Sequence, residues 1–149
     1  MRPGISHGPG WFPVAVQALV VLAETDEPCS SSAMAQDLKA HAVFLRRVLA
    51  QLVRANLIQA REGRDGGYRL ARSAEHITLA EVYQAVVADP AEHTAGTSGV
   101  NEGVQTVMDE IRAEAEQRLL EILGRYNLAS VLERVAISGH PSLARSEWS

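Results

Sequence analysis

The sequence predicts a mainly α-helical fold carrying one small β-hairpin. Three observations predict it. Apolar side chains recur at intervals of three and four residues in several separate stretches, the spacing of a helix face. Leu57 to Ala71 instead reads as two strand-like runs around a glycine-bearing turn. Toward the C-terminal end, about twenty-two residues keep one apolar stripe, enough for a rod of roughly 33 Å.

The elements follow in order. Residues 1–10 hold three glycines and two prolines and read as a flexible tail. Pro13 to Ala23 is apolar, but too short to span a bilayer and without a small-residue cleavage site behind it. It is expected to be a buried first helix, and no membrane partner is expected. Asp26-Glu27-Pro28 breaks the chain, and Cys29-Ser30-Ser31-Ser32 offers N-caps for a short second helix, Ala33 to Ala40. A third helix, from about Ala42 to Ala55, carries the core stripe Leu45, Val48, Leu49 and Leu52, with Arg46, Arg47 and Arg54 off it. Asn56 ends it, since asparagine tolerates a left-handed cap.

The hairpin comes next, with its turn at Glu62 to Gly67. Thr78 and Glu81 form a capping box that opens a fourth helix. Residues 89–103 are small and polar and read as a loop. The long helix, about Glu102 to Leu123, places Val104, Val107, Met108, Ile111, Ala115, Leu119 and Ile122 on a face close to a coiled-coil seam, so these residues are expected to form a dimer interface. A last short helix follows from Leu128 to Val135. The expected division is therefore a tail at 1–10, a domain at 11–88, a loop at 89–103, the long and terminal helices at 104–136, and a tail at 137–149.

Charge points to a partner. The formal net charge is −4, yet residues 39–72 alone carry +6, against −3 before them and −7 after. A basic block inside an acidic chain is a footprint for a polyanion. Helix, helix, helix, hairpin is the order of a winged helix-turn-helix, in which the third helix enters the major groove of DNA N-terminal end first. The expected DNA surface is Ser32, His41, Ala42, Val43, Phe44, Arg46, Arg47, Arg54, Arg61, Arg64 and Arg69. Arg64 sits at the narrow tip, suited to a minor groove, while Arg61, Arg69 and Arg72 flank it toward phosphates. Phe44 either packs inward or meets a thymine methyl. A different class fits the same charges: a protein-docking winged-helix module whose basic face binds an acidic partner.

FLRRVLAQLVRANLI (44–58), EGRDGGYRLAR (62–72) and ITLAEVYQAV (77–86) resemble the Rrf2 family of bacterial transcriptional regulators. The resemblance spans about residues 12–135. It implies a DNA-binding regulator, mostly a repressor, whose long helix crosses that of a twin and whose homodimer binds a partly palindromic operator. The sequence departs from the family twice. Glu62 and Arg64 stand where the wing often has arginine and proline. The loop 89–103 lacks the three cysteines that hold an iron–sulfur cluster in some members, with Ser98 near one of those places, so no cluster and no other cofactor is expected.

Cys29, the single cysteine, fits a cytoplasmic protein. It is a candidate thiol sensor if the second helix's N-terminus favours its thiolate, and otherwise a small idle side chain. An unidentified small-molecule or redox effector is the remaining expected partner. Asp89, Glu92 and His93 lack a second histidine at helical spacing, so no metal site is expected. Residues 30–32 have no histidine–carboxylate pair and no phosphate-cradling motif occurs, so no enzyme is expected.

Overall fold

The computed structural model describes residues 10–38, 41–87 and 99–139. The sequence readings of residues 1–9 and 140–149, of loop residues 89–98 with Asp89, Glu92, His93 and Ser98, and of Lys39 lie outside the described residues. Six α-helices are described: α1 (Trp11–Ala23), α2 (Ser31–Leu38), α3 (Ala42–Arg54), α4 (Leu79–Val87), α5 (Glu102–Leu123) and α6 (Leu128–Ile137). Between α3 and α4 lie an antiparallel hairpin, β1 (Ile58–Arg61) and β2 (Gly67–Leu70), and a 3-10 turn, Ala74–His76. No described helix is long and apolar enough to cross a membrane.

The core explains the layout. In α1, Val14, Ala15, Ala18, Leu19, Val20, Val21 and Leu22 are all buried, so this helix is apolar nearly all round and lies at the centre. It packs on α2, α3, α4, α6 and β2. The other elements each bring one stripe: Met34 from α2, Leu45, Val48, Leu49 and Leu52 from α3, Val82 and Val86 from α4, Leu128 from α6. Trp11 meets Phe44 edge-on at 5.0 Å and Phe12 meets Tyr83 at 5.5 Å, closing the outer end of α1.

Local chemistry sets the boundaries. Ser30 caps α2, its Oγ accepting from the Ala33 amide at 3.1 Å, so the helix begins at Ser31 and not at Ala33. Asn56 takes a φ of 60° and ends α3 as expected. Thr78 and Glu81 cap each other, Thr78 Oγ1 accepting from the Glu81 amide and Glu81 Oε2 accepting from the Thr78 amide. Asn127 caps the start of α6 by accepting from the Ser130 amide, while Gly124 closes α5. The α5–α6 junction is tied back to the head of α4: the Leu79 amide donates to the Tyr126 carbonyl and the Leu128 amide to the Ile77 carbonyl.

α5 differs from every other helix, because none of its residues is buried. Val104, Val107, Met108, Ile111 and Ile122 are about half exposed, and Ala115 and Leu119 are also exposed. Val104, Met108, Ile111, Ala115, Leu119 and Ile122 advance by four, three, four, four and three residues. They lie along one side of the helix, the arrangement expected of a seam.

Candidate nucleic-acid interface

The core stripe of α3 fixes what its opposite face presents. With Leu45, Val48, Leu49 and Leu52 wholly buried, the helix turns Ala42, Val43, Arg46, Arg47, Ala50 and Arg54 outward, all exposed. His41 is the exposed N-cap, and its side chain makes no capping bond. No acidic residue stands in the first turn, so the amides at the front of α3 face outward beside Val43, with the helix dipole favouring an anion there. Ser32 is exposed near the start of the preceding helix.

Phe44 departs from the expected surface. Its ring packs on Trp11 and borders the core, because position 44 stands one turn before Val48 on the inner stripe. Val43, 66% exposed at the front of the helix, is the large apolar side chain this face turns outward.

The hairpin register is Ile58 with Leu70, Gln59 with Arg69, Ala60 with Tyr68 and Arg61 with Gly67. Strand alternation puts Ile58, Tyr68 and Leu70 on the core side and turns Gln59, Arg61 and Arg69 the other way. At the end of the hairpin the Gly66 amide donates to the Gly63 carbonyl at 3.1 Å, a four-residue turn with Arg64 and Asp65 at its corners. Two glycines are required there. A Cβ on Gly66 would strike the Arg61 carbonyl, and one on Gly67, at a φ of +150°, would lie 2.6 Å from the Cys29 carbonyl.

The reason for that close approach is a feature the sequence reading missed. Cys29 pairs with Tyr68 through two backbone bonds, its amide donating at 3.0 Å and its carbonyl accepting at 2.8 Å, so it forms a one-residue third edge of the sheet. An isolated bridge has no periodicity in sequence. Its only trace is Gly67.

Arg46, Arg47, Arg54, Arg61, Arg64 and Arg69 are exposed, and among the described residues none enters an ion pair, hydrogen bond or ring contact. Arg72 behaves differently. It donates to Glu81 Oε1 at 3.0 Å and to the His76 carbonyl at 3.1 Å, so the guanidinium expected beside phosphates is held by the protein itself. Six free guanidiniums on α3 and on the hairpin it packs against are donors and charges awaiting a polyanion. Arg46→Ala is predicted to relax base preference at one position of a selected duplex by about 1–3 kcal/mol if Arg46 reads a guanine. An unchanged consensus after in-vitro selection would remove it from base contact.

The Cys29 thiol does not have the environment expected of a sensor. It is half-buried, burial pushes the thiol's pKa up, and the nearby Asp37 carboxylate adds to the rise. The thiolate is therefore disfavoured, contrary to the effect expected from the start of α2. Among the described residues no group of three or more histidine, cysteine, aspartate or glutamate side chains is arranged to hold a metal ion.

Residues 11–134 match the family model named Rrf2 and described as an iron-dependent transcriptional regulator. The chain is 29% identical over 126 residues, 81% of either protein, to YwgB of Bacillus subtilis strain 168, assigned as an HTH-type transcriptional regulator. It is 45% identical over 58 residues to the HTH-type transcriptional regulator IscR of Cereibacter sphaeroides, a match covering 38% of this chain and 37% of that one. The solved structure of T. potens IscR superposes with a TM-score of 0.65 at 21% identity, covering 89% of this chain and 90% of that one, a likeness of fold.

Proposed function

This chain belongs to the Rrf2 family of DNA-binding transcriptional regulators, and from that premise we propose that it is a homodimeric repressor of a partly palindromic operator. In this reading α3 lies in the major groove, with Val43, Arg46 and Arg47 at base edges and His41 and Ser32 near phosphate. The hairpin is the wing: Arg64 enters the adjacent minor groove while Arg61, Arg69 and Arg54 meet the backbone. The observation that carries the reading is the set of six arginines without intramolecular partners on these two elements. Among the described residues none of them pairs, in a chain whose formal net charge is −4.

The second copy sits on α5. A stripe of half-exposed Val104, Val107, Met108, Ile111 and Ile122, running through Ala115 and Leu119, is too apolar to face water along a whole helix. A twin stripe related by a two-fold axis covers it and sets two α3 helices roughly 34–36 Å apart, one turn of DNA.

We also infer that the regulator works in the cytoplasm without a cluster of the family type. Such a cluster takes three cysteines from the loop before α5, and the chain has only Cys29, in the loop before α2. The residues present do not fit that group.

The test is duplex binding across a salt series. Affinity is expected to fall linearly on logarithmic axes as neutralised phosphates release counterions. Arg64→Ala is expected to weaken binding by about tenfold and to reduce the salt slope by about one while the protein stays folded. Binding indifferent to salt, or an unchanged gel shift for Arg64→Ala, counts against the reading.

A further inference from the structure

We propose that Arg72 and Glu81 are positioning residues that set the angle at which the wing meets DNA, without touching DNA themselves. The proposal rests on the reading of the hairpin as a minor-groove wing and adds what holds it there.

The wing leaves the protein body at a narrow base. The Ala71 amide donates to the Leu57 carbonyl at 3.0 Å and closes that base, and Arg72 is the next residue. Its guanidinium spans to the His76 carbonyl and to Glu81 Oε1. The other carboxylate oxygen, Oε2, accepts from the Thr78 amide at 3.0 Å and from Thr78 Oγ1 at 3.2 Å. Thr78 in turn pairs with Asn127, the cap of α6. A run of bonds therefore joins the exit strand of the wing to the first turn of α4, and the Leu79–Tyr126 and Leu128–Ile77 backbone bonds on either side of Thr78 tie that turn to the α5–α6 junction.

Glu81 is the hinge of this run, because each of its carboxylate oxygens serves a different element. Burial disfavours charge on Glu81, yet the bonds from Thr78 and Arg72 outweigh burial and hold its carboxyl below the usual glutamate value. A lone exposed ion pair contributes little. This one is part-buried and shares its carboxylate with a helix cap, so Arg72 loses rotamer freedom to partners that are already fixed. The contrast with the six free arginines is the decisive point. Of the basic residues described on the wing and its base, only Arg72 is spent on the protein itself.

The experiment uses the full chain and a duplex recovered by in-vitro selection with it. Glu81→Gln keeps the capping box, because glutamine accepts from the Thr78 amide as well, and removes the charge that holds Arg72. Binding is expected to weaken roughly three- to thirtyfold, the range seen when a residue off the contact surface shifts binding. Melting temperature and dimer mass should stay unchanged. Hydroxyl-radical footprinting should show protection lost in the minor groove under the wing and kept at the α3 contacts. Arg72→Ala should do the same, and the double variant should be no weaker than the weaker single one, since both remove a single clamp.

If Arg72 itself met a phosphate, Glu81→Gln would release it, and binding would hold or tighten. That outcome overturns the proposal, as does additivity of the two changes. Arg64→Ala run alongside separates the two levels. If it leaves binding intact, the wing reading fails and takes the clamp with it. If it weakens binding while Glu81→Gln does not, the clamp alone fails.

Discussion

Replacing Ile111 with glutamate is expected to turn the proposed homodimer into monomers and to abolish operator binding at concentrations where the parent binds fully. Ile111 is 54% exposed in one protomer and sits between Met108 and Ala115 on the α5 stripe. Alone, the protomer tolerates a glutamate there, because the side chain reaches water and glutamate is a good helix former. In the proposed dimer the same carboxylate would be covered by apolar side chains of the twin, and by symmetry the charge would enter twice. A cost of at least about 4 kcal/mol is expected, raising the dimer dissociation constant on the order of a thousandfold. Sedimentation should report the mass of one chain, and circular dichroism an unchanged helix content. An unchanged sedimentation mass would remove α5 from the interface. Unfolding would show instead that α5 supports the protomer.

The second large effect is expected at Gly67. Valine there would bring its Cβ to 2.6 Å from both the carbonyl carbon and oxygen of Cys29, at a φ that L residues rarely adopt. The two backbone bonds between Cys29 and Tyr68 have to open. Two lost hydrogen bonds and a strained backbone together cost roughly 3–5 kcal/mol. For a domain of this size that lowers the melting temperature by about 10–20 °C. Gly63→Ala is the matched control: its φ is also positive, at +112°, but no atom lies within 4 Å of the new Cβ. It should cost about 1–2 kcal/mol from strain alone. A Gly67→Val protein that melts and binds DNA like the parent would show that the Cys29 edge does not hold the wing.

The fold was legible wherever a pattern repeats or a cap is local. Leu45, Val48, Leu49 and Leu52 gave α3 its face, Thr78 and Glu81 announced α4, and Asn56 stopped α3 as its left-handed φ requires. What stayed hidden depends on contacts between distant residues. Cys29 reaches Tyr68 across thirty-nine positions with no alternation to betray it. Phe44 was undecided because an inner and an outer role differ by one side-chain direction, which Trp11 settles. Arg72 looked like its neighbours on the wing, and only its contact with Glu81 sets it apart. Charge counting singles out α3 and the hairpin but does not separate the arginines without an intramolecular partner from Arg72, which has one.

The exposed stripe of α5 carries one more consequence for the proposed dimer. In the proposed dimer two such helices would cross at a pivot near Ile111 and Ala115, the middle of the stripe, and diverge on either side like scissor blades. Each blade is bolted to its own reading head through the Leu79–Tyr126 and Leu128–Ile77 bonds. From pivot to bolt is about half the length of the rod, roughly 16 Å. Opening the blades by about ten degrees swings each head by roughly 3 Å, close to the rise of one base pair along DNA. In that proposed dimer the distance between half-sites would follow from the angle between two helices.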